Sequence, residues 1–191
     1  IIRVPNATVK QVVNADPNQI DLDPFFDAID KATGDLITTS CGFLSPFQNE
    51  LEGICDVPFI SSSLRQLEHL KNIYTPPELQ IITFDAAKLG PTHLPIGCEA
   101  FNTSVCGLNS DAHLKSIIEN NITHIDISKA SADICAVVRA NKKNLTKGIL
   151  LECTNLPPYK SDIRRISDVP IYDILTAIEK ELPDSVNPYF L

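Results

Sequence analysis

No stretch of the sequence comes close to the roughly 20 consecutive apolar residues that a membrane-spanning helix needs. The chain also lacks a lysine and arginine cluster, and its formal charge is −8. A nucleic-acid partner is therefore not expected, because phosphate binding depends on grouped basic side chains. Methionine is absent as well, even at position 1, which leaves open whether residues are missing from the ends or the interior.

A charged-then-apolar leader of the secretory kind is also missing from the start of the sequence. The 191 residues, 43% of them hydrophobic, supply enough apolar side chains for a core without disulfides. These two features predict a cytoplasmic protein whose six cysteines are reduced. A homodimer is compatible with the sequence, which does not set the oligomeric state.

Several common catalytic motifs are missing too. The chain has no Gly-x-Ser-x-Gly elbow and no glycine-rich phosphate loop, so a serine hydrolase and a nucleotide-binding protein are not indicated. A zinc site remains an alternative that the spacing does not favour, because its four candidate ligands lack tight Cys-x-x-Cys pairs. Those candidates are His93, Cys98, Cys106 and His113.

The sequence contains one stretch twice. Residues 35–70 and 147–182 align without a gap at an offset of 112 residues. At that offset Cys41 falls on Cys153, and the tripeptide Asp-Val-Pro at residues 56–58 falls on the same tripeptide at 168–170. Each copy reads as a short apolar strand, a helix, a second short strand and a second helix.

This repeat predicts an α/β fold with two pseudo-twofold-related lobes. We expect each lobe to be a parallel sheet flanked by helices, with the active site in the cleft between them. A Tyr-Thr-Pro-Pro break at residues 74–77 marks the boundary. The predicted first lobe comprises residues 1–77 and 169–191, and the second comprises residues 78–168.

Individual elements can be assigned from local patterns. The patterns predict strands at Ile1–Pro5, Leu79–Phe84 and Ile122–Ile127, and a helix over Ser131–Ala140. A helix that carries Phe25 and Phe26 on one face is expected to end before Gly34. In the first copy, Ser45, Pro46 and Gln48 form the pattern of a helix start.

Both repeated cysteines follow a predicted strand. Ligands bind beyond the carboxyl ends of parallel strands, so Cys41 and Cys153 are expected to face one cleft from opposite sides. A thiolate on one face and a thiol on the other would invert a stereocentre by removing and returning a proton. We therefore expect two-base proton transfer, whereas Cys55, Cys98, Cys106 and Cys135 are expected to be structural.

Residues beside the cysteines are candidates for substrate contacts. Ser40 borders the predicted cleft, Asn155 is either a helix cap or a ligand contact, and Asp85 either caps the turn after its strand or contacts substrate. Asn6, in the loop after the first predicted strand, is a further candidate. Glu152 alternates away from Cys153 and is expected to be structural.

The motifs TTSCGFL, LLECTNLPPY and DVPIYDI resemble those of the aspartate/glutamate/hydantoin racemase superfamily, to which arylmalonate decarboxylases are related. The resemblance implies an isomerase, independent of pyridoxal phosphate, metal or any other cofactor, with Cys41 and Cys153 as the acid/base pair. It further implies that Thr154 and the backbone beside the cysteines, at Gly42 and Phe43, hold the substrate carboxylate. The Gly42-Phe43 pair replaces the Asn-Thr pair of glutamate racemases, which indicates a more apolar or differently shaped ligand.

The function expected from this resemblance is racemisation of an amino acid of the aspartate or glutamate type, or of a hydantoin. The small-molecule substrate is thus expected to be a carboxylate or a cyclic amide. Three alternatives stay open from the sequence: an arylmalonate-type decarboxylase, a maleate-type cis-trans isomerase, and a non-catalytic carboxylate-binding protein.

Overall fold

The computed structural model describes residues 1–191 as a mixed α/β structure with parallel sheets flanked by helices, which confirms the predicted fold class. The strands are β1 (Ile37–Thr38), β2 (Phe59–Ile60), β3 (Leu79–Thr83), β4 (Val105–Gly107), β5 (Gly148–Leu151) and β6 (Ile171–Tyr172). The helices are α1 (Val9–Val12), α2 (Asp23–Ile29), α3 (Gln48–Glu52), α4 (Leu67–Leu70), α5 (His113–Glu119), α6 (Ile127–Asn141), α7 (Lys160–Arg164) and α8 (Ile174–Glu181).

The strands form two parallel sheets. β1 and β2 make a two-stranded sheet, and the other four strands make a second sheet in the order β4-β3-β5-β6. All residues of β3 and β5 are buried, as expected for central strands of a parallel sheet that is covered on both faces. The apolar runs LQIIT and GILL supply the side chains for both faces.

Proline accounts for many of the short helical segments. The chain has 14 prolines, and single 3-10 turns begin with proline at Pro17, Pro76, Pro91, Pro157 and Pro188. Proline has no N–H to donate and a fixed φ, so it suits the first position of a helical turn. These short turns let the chain change direction between strands.

The internal repeat is confirmed in the backbone. β1 pairs with β2 through Ile37 opposite Phe59, and β5 pairs with β6 through Ile149 opposite Ile171, which is the same register displaced by 112 residues. Helix α3 begins at Gln48 and α7 begins at Lys160, again at that offset. The two halves therefore share one local architecture.

The two copies differ in the polar link between their helix and their second strand. In the first, the side chain of Gln48 donates to the carbonyl of Phe59 and accepts from the N–H of Ser61, at 2.7 and 2.8 Å. In the second, the equivalent positions hold Lys160 and Asp173, which form a buried ion pair at 2.9 Å. An uncharged link has been replaced by a charged one at the same place in the fold.

Contacts between the copies are reciprocal. The hydroxyl of Ser63, after β2, donates to the carbonyl of Leu151 in β5 at 2.8 Å. In the opposite direction, α8 packs Ile174 and Ala177 against Ile60 of β2. Most of the buried apolar side chains, from Val12 to Ile171, belong to one continuous core of 35 residues.

Some predicted elements are wrong. Residues 1–5 form no strand, and residues 122–126 are exposed coil that leads into α6. The helical segment of the first copy begins as a 3-10 turn at Gly42, with Cys41 as its capping residue, rather than at Ser45. The predicted strand at 79–84 and helix at 131–140 are confirmed as β3 and α6.

The lobe boundaries stay a prediction. β6 hydrogen-bonds to β5 in the four-stranded sheet, whereas α8, which follows it directly, packs against the two-stranded sheet. None of the helices combines the length and the apolar composition that a membrane-spanning segment requires.

Candidate active site

Both repeated cysteines lie just beyond the carboxyl ends of parallel strands. Cys41 follows β1 and is partly exposed, whereas Cys153 follows β5 and is 8% exposed. The hydroxyl of Thr154, the residue after Cys153, donates to the carbonyl of Ser40, the residue before Cys41, at 2.6 Å. The structure therefore brings together the two segments that carry the repeated cysteines.

The thiols have matching environments. The backbone N–H of Phe43 faces the sulfur of Cys41, and the N–H of Asn155 faces the sulfur of Cys153, so the donor comes from two residues later in each copy. Asn155 adds its side-chain amide, with Nδ2 to Sγ at 3.6 Å. Cys153 is thus the thiol with more donors, and such donors favour the thiolate.

Burial keeps both thiols protonated in the free protein. Desolvation, assisted by the charge of Glu152, raises the pKa of each cysteine to about 12. The donated N–H groups oppose this rise without cancelling it. A ligand that brings positive charge would shift the balance toward the thiolate, because a nearby opposite charge favours the ionised form.

Glu152 is the residue that sequence reasoning misplaced. Its side chain is not turned away from the site: the residue is 1% exposed, and its charge acts on both cysteine thiols. Desolvation raises the pKa of its carboxyl group to about 7, opposed slightly by the hydroxyl of Thr83. Neither carboxylate oxygen has a hydrogen-bond partner.

Gly42 provides the space that Glu152 occupies. A Cβ at position 42 would lie 1.7 Å from Oε1 of Glu152 and 2.9 Å from its carbonyl oxygen. The position beside Cys41 therefore admits no side chain while the glutamate keeps this conformation. The glycine is required by close approach and not by an unusual φ angle.

Thr154 and Ser40 join the two cysteine segments. The hydroxyl of Thr154 donates to the carbonyl of Ser40 at 2.6 Å, so the threonine expected to hold a substrate carboxylate is already engaged across the site. The side chains of Ser40 and Asn155 are exposed at its rim. Both remain available to a ligand.

The hydroxyls of Thr39 and Ser63 fix the backbone of the site. Thr39 donates to the carbonyl of Ser61 at 2.7 Å and accepts from the N–H of Cys41 at 3.3 Å. Ser63 lies within 2.8 and 3.2 Å of the carbonyls of Leu151 and Glu152. The run of three serines at residues 61–63, directly after β2, could have predicted that polar side chains lie at the end of this strand.

Phe43 packs in the hydrophobic core and does not line the rim of the candidate site. It is 1% exposed and packs edge-on against His93, with ring centroids 5.0 Å apart. The buried histidine accepts from the N–H of Gly90 at Nδ1 and so donates from Nε2 to the carbonyl of Asn14, at 3.2 and 2.9 Å. Burial lowers the pKa of His93, which keeps the ring neutral.

Two further candidates have other contacts. Asp85 follows β3, caps the next turn through the N–H of Ala87, and pairs with Lys115 at 3.4 Å. Asn6 is exposed at a tight turn with φ of 60°, and no hydrogen bond joins its side chain to the cysteine segments. Neither side chain forms a hydrogen bond with the two cysteines.

The remaining polar clusters supply no metal centre. No group of three or more His, Cys, Asp or Glu side chains could hold a metal ion, and all six cysteines carry free thiols. A polar groove of about 260 Å³ lies elsewhere, with walls that include Gln66, His69 and Lys180, and neither repeated cysteine lines it.

Comparison with known proteins gives no matching family model but several similar curated proteins. A dimethylsulfoniopropionate lyase of Durusdinium sp. clade D is 29% identical over 175 residues, which cover 81% of this chain and 55% of that protein. Dimethylsulfoniopropionate lyase 7 of Emiliania huxleyi (strain CCMP1516) is 26% identical over 172 residues, covering 81% and 49%. Lyase 3 of the same organism is 27% identical over 173 residues, covering 81% and 43%.

The chain thus spans about half the length of the first two relatives. These relatives are named lyases and not racemases, so the predicted membership of the racemase superfamily, the isomerase class and the racemase activity are wrong. Nor do their names match the decarboxylase, cis-trans isomerase or carboxylate-binding alternatives. The catalytic role of the two cysteines stays a prediction.

Proposed function

We propose that this chain carries the catalytic site of a lyase that splits dimethylsulfoniopropionate by elimination. The observation that supports it most is the pair of thiols, Cys41 and Cys153, held at two strand ends of a chain similar to proteins named for that reaction. A thiolate is a competent general base for a proton on carbon.

The chemistry requires one base and no external oxidant or reductant. The substrate is a propionate with a dimethylsulfonium group on the carbon β to the carboxylate. The base takes a proton from the α carbon, the C–H electron pair becomes the new C=C bond, and the β carbon–sulfur bond breaks with its electron pair leaving on sulfur. The products are dimethyl sulfide and acrylate, and the proton remains on the base.

Cys153 is the base in this proposal. It has two facing donors, the N–H and the side-chain amide of Asn155, whereas Cys41 has one, the N–H of Phe43. The cationic sulfonium of the substrate would further favour the thiolate. Cys41 stays a thiol and donates to the substrate carboxylate as negative charge grows on it, and so stabilises the enolate-like state.

The rim residues orient the carboxylate end. Ser40 and Asn155 have exposed side chains at the two strand ends, and Thr154 holds these ends together through the carbonyl of Ser40. This arrangement places hydrogen-bond donors on both sides of a small anionic group. Gly42 and Phe43 contribute backbone and packing rather than side-chain contacts.

The experiment is a measurement of dimethyl sulfide in the headspace above the purified chain and its variants. Wild-type protein is expected to release it, and Cys153→Ser to lose about 10²–10⁴-fold in kcat, the usual contribution of a general base. Cys41→Ser keeps a donor and is expected to lose less. Cys55→Ser, away from the strand ends, is the matched control. A folded wild type that releases no dimethyl sulfide, or a Cys153→Ser variant with full activity, would refute the proposal.

A further inference from the structure

We propose that Glu152 is the buried counter-charge by which this site selects a cationic substrate. The inference rests on the proposed function and adds a residue that recognises the sulfonium group. It goes beyond the two thiols, which handle the proton and do not by themselves distinguish a cation from a neutral group.

The carboxylate of Glu152 is buried without a cationic partner. The residue is 1% exposed, neither of its oxygens meets hydrogen-bond geometry with a donor, and only the nearby hydroxyl of Thr83 lowers its pKa. Burying a carboxylate in this way costs several kcal/mol of stability, so proteins normally pair such groups or bind something against them. A carboxylate kept at this cost beside a reactive pair of thiols points to a ligand that compensates for it.

The other buried carboxylates show what is missing. Asp173 is paired with Lys160 at 2.9 Å, and Asp85 is paired with Lys115 at 3.4 Å. Glu152 is the third buried carboxylate, and no basic side chain lies within ion-pair distance of it. Lysine side chains of the chain itself neutralise Asp173 and Asp85, whereas Glu152 is left to pair with a cationic ligand.

A dimethylsulfonium group matches the unpaired carboxylate of Glu152, because it is positively charged and has no hydrogen-bond donors. It carries a full positive charge but no N–H or O–H, so it cannot satisfy a site built from hydrogen-bond acceptors with fixed geometry. What it requires is a negative charge in a poorly hydrated place, where Coulomb attraction is strong. Glu152 offers such a charge against Gly42, the residue after Cys41, and next to Cys153 in the chain.

The same charge would make activation of the base depend on the substrate. Without a ligand, Glu152 opposes ionisation of both Cys41 and Cys153. A cation bound beside the carboxylate cancels that opposition, so the thiolate forms when a sulfonium is present. A neutral ligand of the same shape would leave the thiols protonated.

A direct proton relay through Glu152 is less consistent with the geometry. No hydrogen bond joins either thiol to the carboxylate, although the thiols of Cys55 and Cys106 donate to backbone carbonyls at 3.2 and 3.3 Å elsewhere in the structure. The interaction between Glu152 and the cysteines is therefore one of charge through space.

The test compares two competitive inhibitors of equal shape and different charge. One is 3-(trimethylammonio)propionate, which is cationic at the β substituent, and the other is 4,4-dimethylpentanoate, which carries a neutral tert-butyl group there. Trimethylamine leaves less readily than dimethyl sulfide, and the hydrocarbon group does not leave at all. Inhibition constants are measured at pH 8.5 for wild type, Glu152→Gln, Glu152→Asp and the exposed control Glu99→Gln, with dimethyl sulfide release as the assay and direct binding by calorimetry.

Wild type and Glu99→Gln are expected to prefer the cationic inhibitor. Glu152→Gln should lose on the order of tenfold or more of that preference, the size of a partly screened charge pair, and Glu152→Asp should recover part of it. Rescue by the shorter acid separates a role in charge from a role in packing. Circular dichroism establishes that each variant is folded.

The outcomes separate this inference from the proposed function. If wild type releases dimethyl sulfide but Glu152→Gln keeps the full preference for the cation, the counter-charge inference is overturned and the lyase stands. If calorimetry shows a preference for the cationic inhibitor that depends on Glu152, but no dimethyl sulfide is released, the proposed lyase function is refuted and the counter-charge inference is supported. If wild type shows neither, both are overturned.

Discussion

The carboxylate of Glu152 rests directly against the Cα of Gly42, and a methyl group added to that glycine would lie 1.7 Å from Oε1. The contact joins the residue before one repeated cysteine to the residue after the other. The contact therefore couples the ends of β1 and β5, after which the two cysteines lie. A larger side chain at position 42 would displace the carboxylate of Glu152.

Gly42→Ala is expected to move the Glu152 side chain and to lower lyase activity by at least about tenfold, because the new Cβ occupies the carboxylate's place. The backbone carbonyl of Glu152 at 2.9 Å resists relaxation as well, so a loss of about 1–3 kcal/mol in stability is also expected. Gly90→Ala is the control, since nothing lies within 4 Å of its added Cβ. Equal activity of the two variants would contradict the close packing.

Glu152→Gln is expected to stabilise the folded protein at alkaline pH. Burial raises the pKa of Glu152 from its ordinary value of 4.5 to about 7, so the folded state holds a proton that the unfolded chain has already lost between these values. Stability from this residue is full below pH 4.5, falls as the pH rises through that window, and is lost above pH 7. Glu152→Gln avoids this loss of unfolding free energy, which the rise in the pKa of Glu152 sets at about 3 kcal/mol.

Urea denaturation of wild type and Glu152→Gln at pH 4.5, 6 and 8.5 measures this difference. The variant's advantage should be near zero at pH 4.5 and largest at pH 8.5. Glu99→Gln, at an exposed position, should not show this pattern. An advantage independent of pH would mean that the carboxylate is not buried as the structure shows.

The kcat/KM of the lyase is expected to rise steadily with pH from 6 to 9. Burial and Glu152 raise the pKa of Cys153 to about 12, so the fraction of free protein with a thiolate increases about tenfold for each pH unit below that value. Glu152→Gln removes one cause of the raised pKa and should move the profile toward lower pH. Initial rates of dimethyl sulfide release across buffers of constant ionic strength test it; a profile flat from pH 6 to 9 would argue against a thiolate base.

The buried pair of Lys160 and Asp173 can be exchanged for its counterpart in the first copy. Lys160→Gln or Asp173→Ser alone leaves one buried charge unpaired and is expected to cost about 3–5 kcal/mol of stability. The double variant recreates the neutral link formed by Gln48 and Ser61 and should recover most of that cost. Chemical denaturation of all four proteins gives the coupling energy, and additive losses would show that the two positions are not equivalent.

The sequence alone predicted the repeat, the α/β class and the equivalent positions of Cys41 and Cys153 just beyond two strands. These followed from apolar runs and from an offset that carries helix α3 onto α7 without a gap. The strands expected at residues 1–5 and 122–127 failed because short alternating or apolar segments become strands only when a neighbouring strand accepts their hydrogen bonds.

Glu152 could not be placed from the sequence. Alternation along a strand turns neighbouring side chains to opposite faces, which was the reason for assigning it a structural role. β5 ends at Leu151, however, and the chain then turns, so both Glu152 and Cys153 approach the segment that begins at Cys41. Only the close approach of Gly42, in the 3-10 turn that follows β1 of the other sheet, shows where the carboxylate lies.

The reaction was assigned wrongly for a chemical reason. Two opposed thiols can invert a stereocentre, but one thiolate that removes an α proton can equally start an elimination when the β carbon carries a leaving group. The residues that hold the proton are the same in both cases, so the substrate's leaving group decides the outcome. The names of the similar proteins supply that information, and the cysteine pattern does not.

Proton NMR of the wild-type chain with dimethylsulfoniopropionate tests the central claim most directly, because it identifies the second product. The account predicts vinyl signals of acrylate that grow in step with dimethyl sulfide, and no such signals with Cys153→Ser. Unchanged substrate in the presence of folded wild-type protein, or 3-hydroxypropionate in place of acrylate, would contradict elimination by a thiolate at this site.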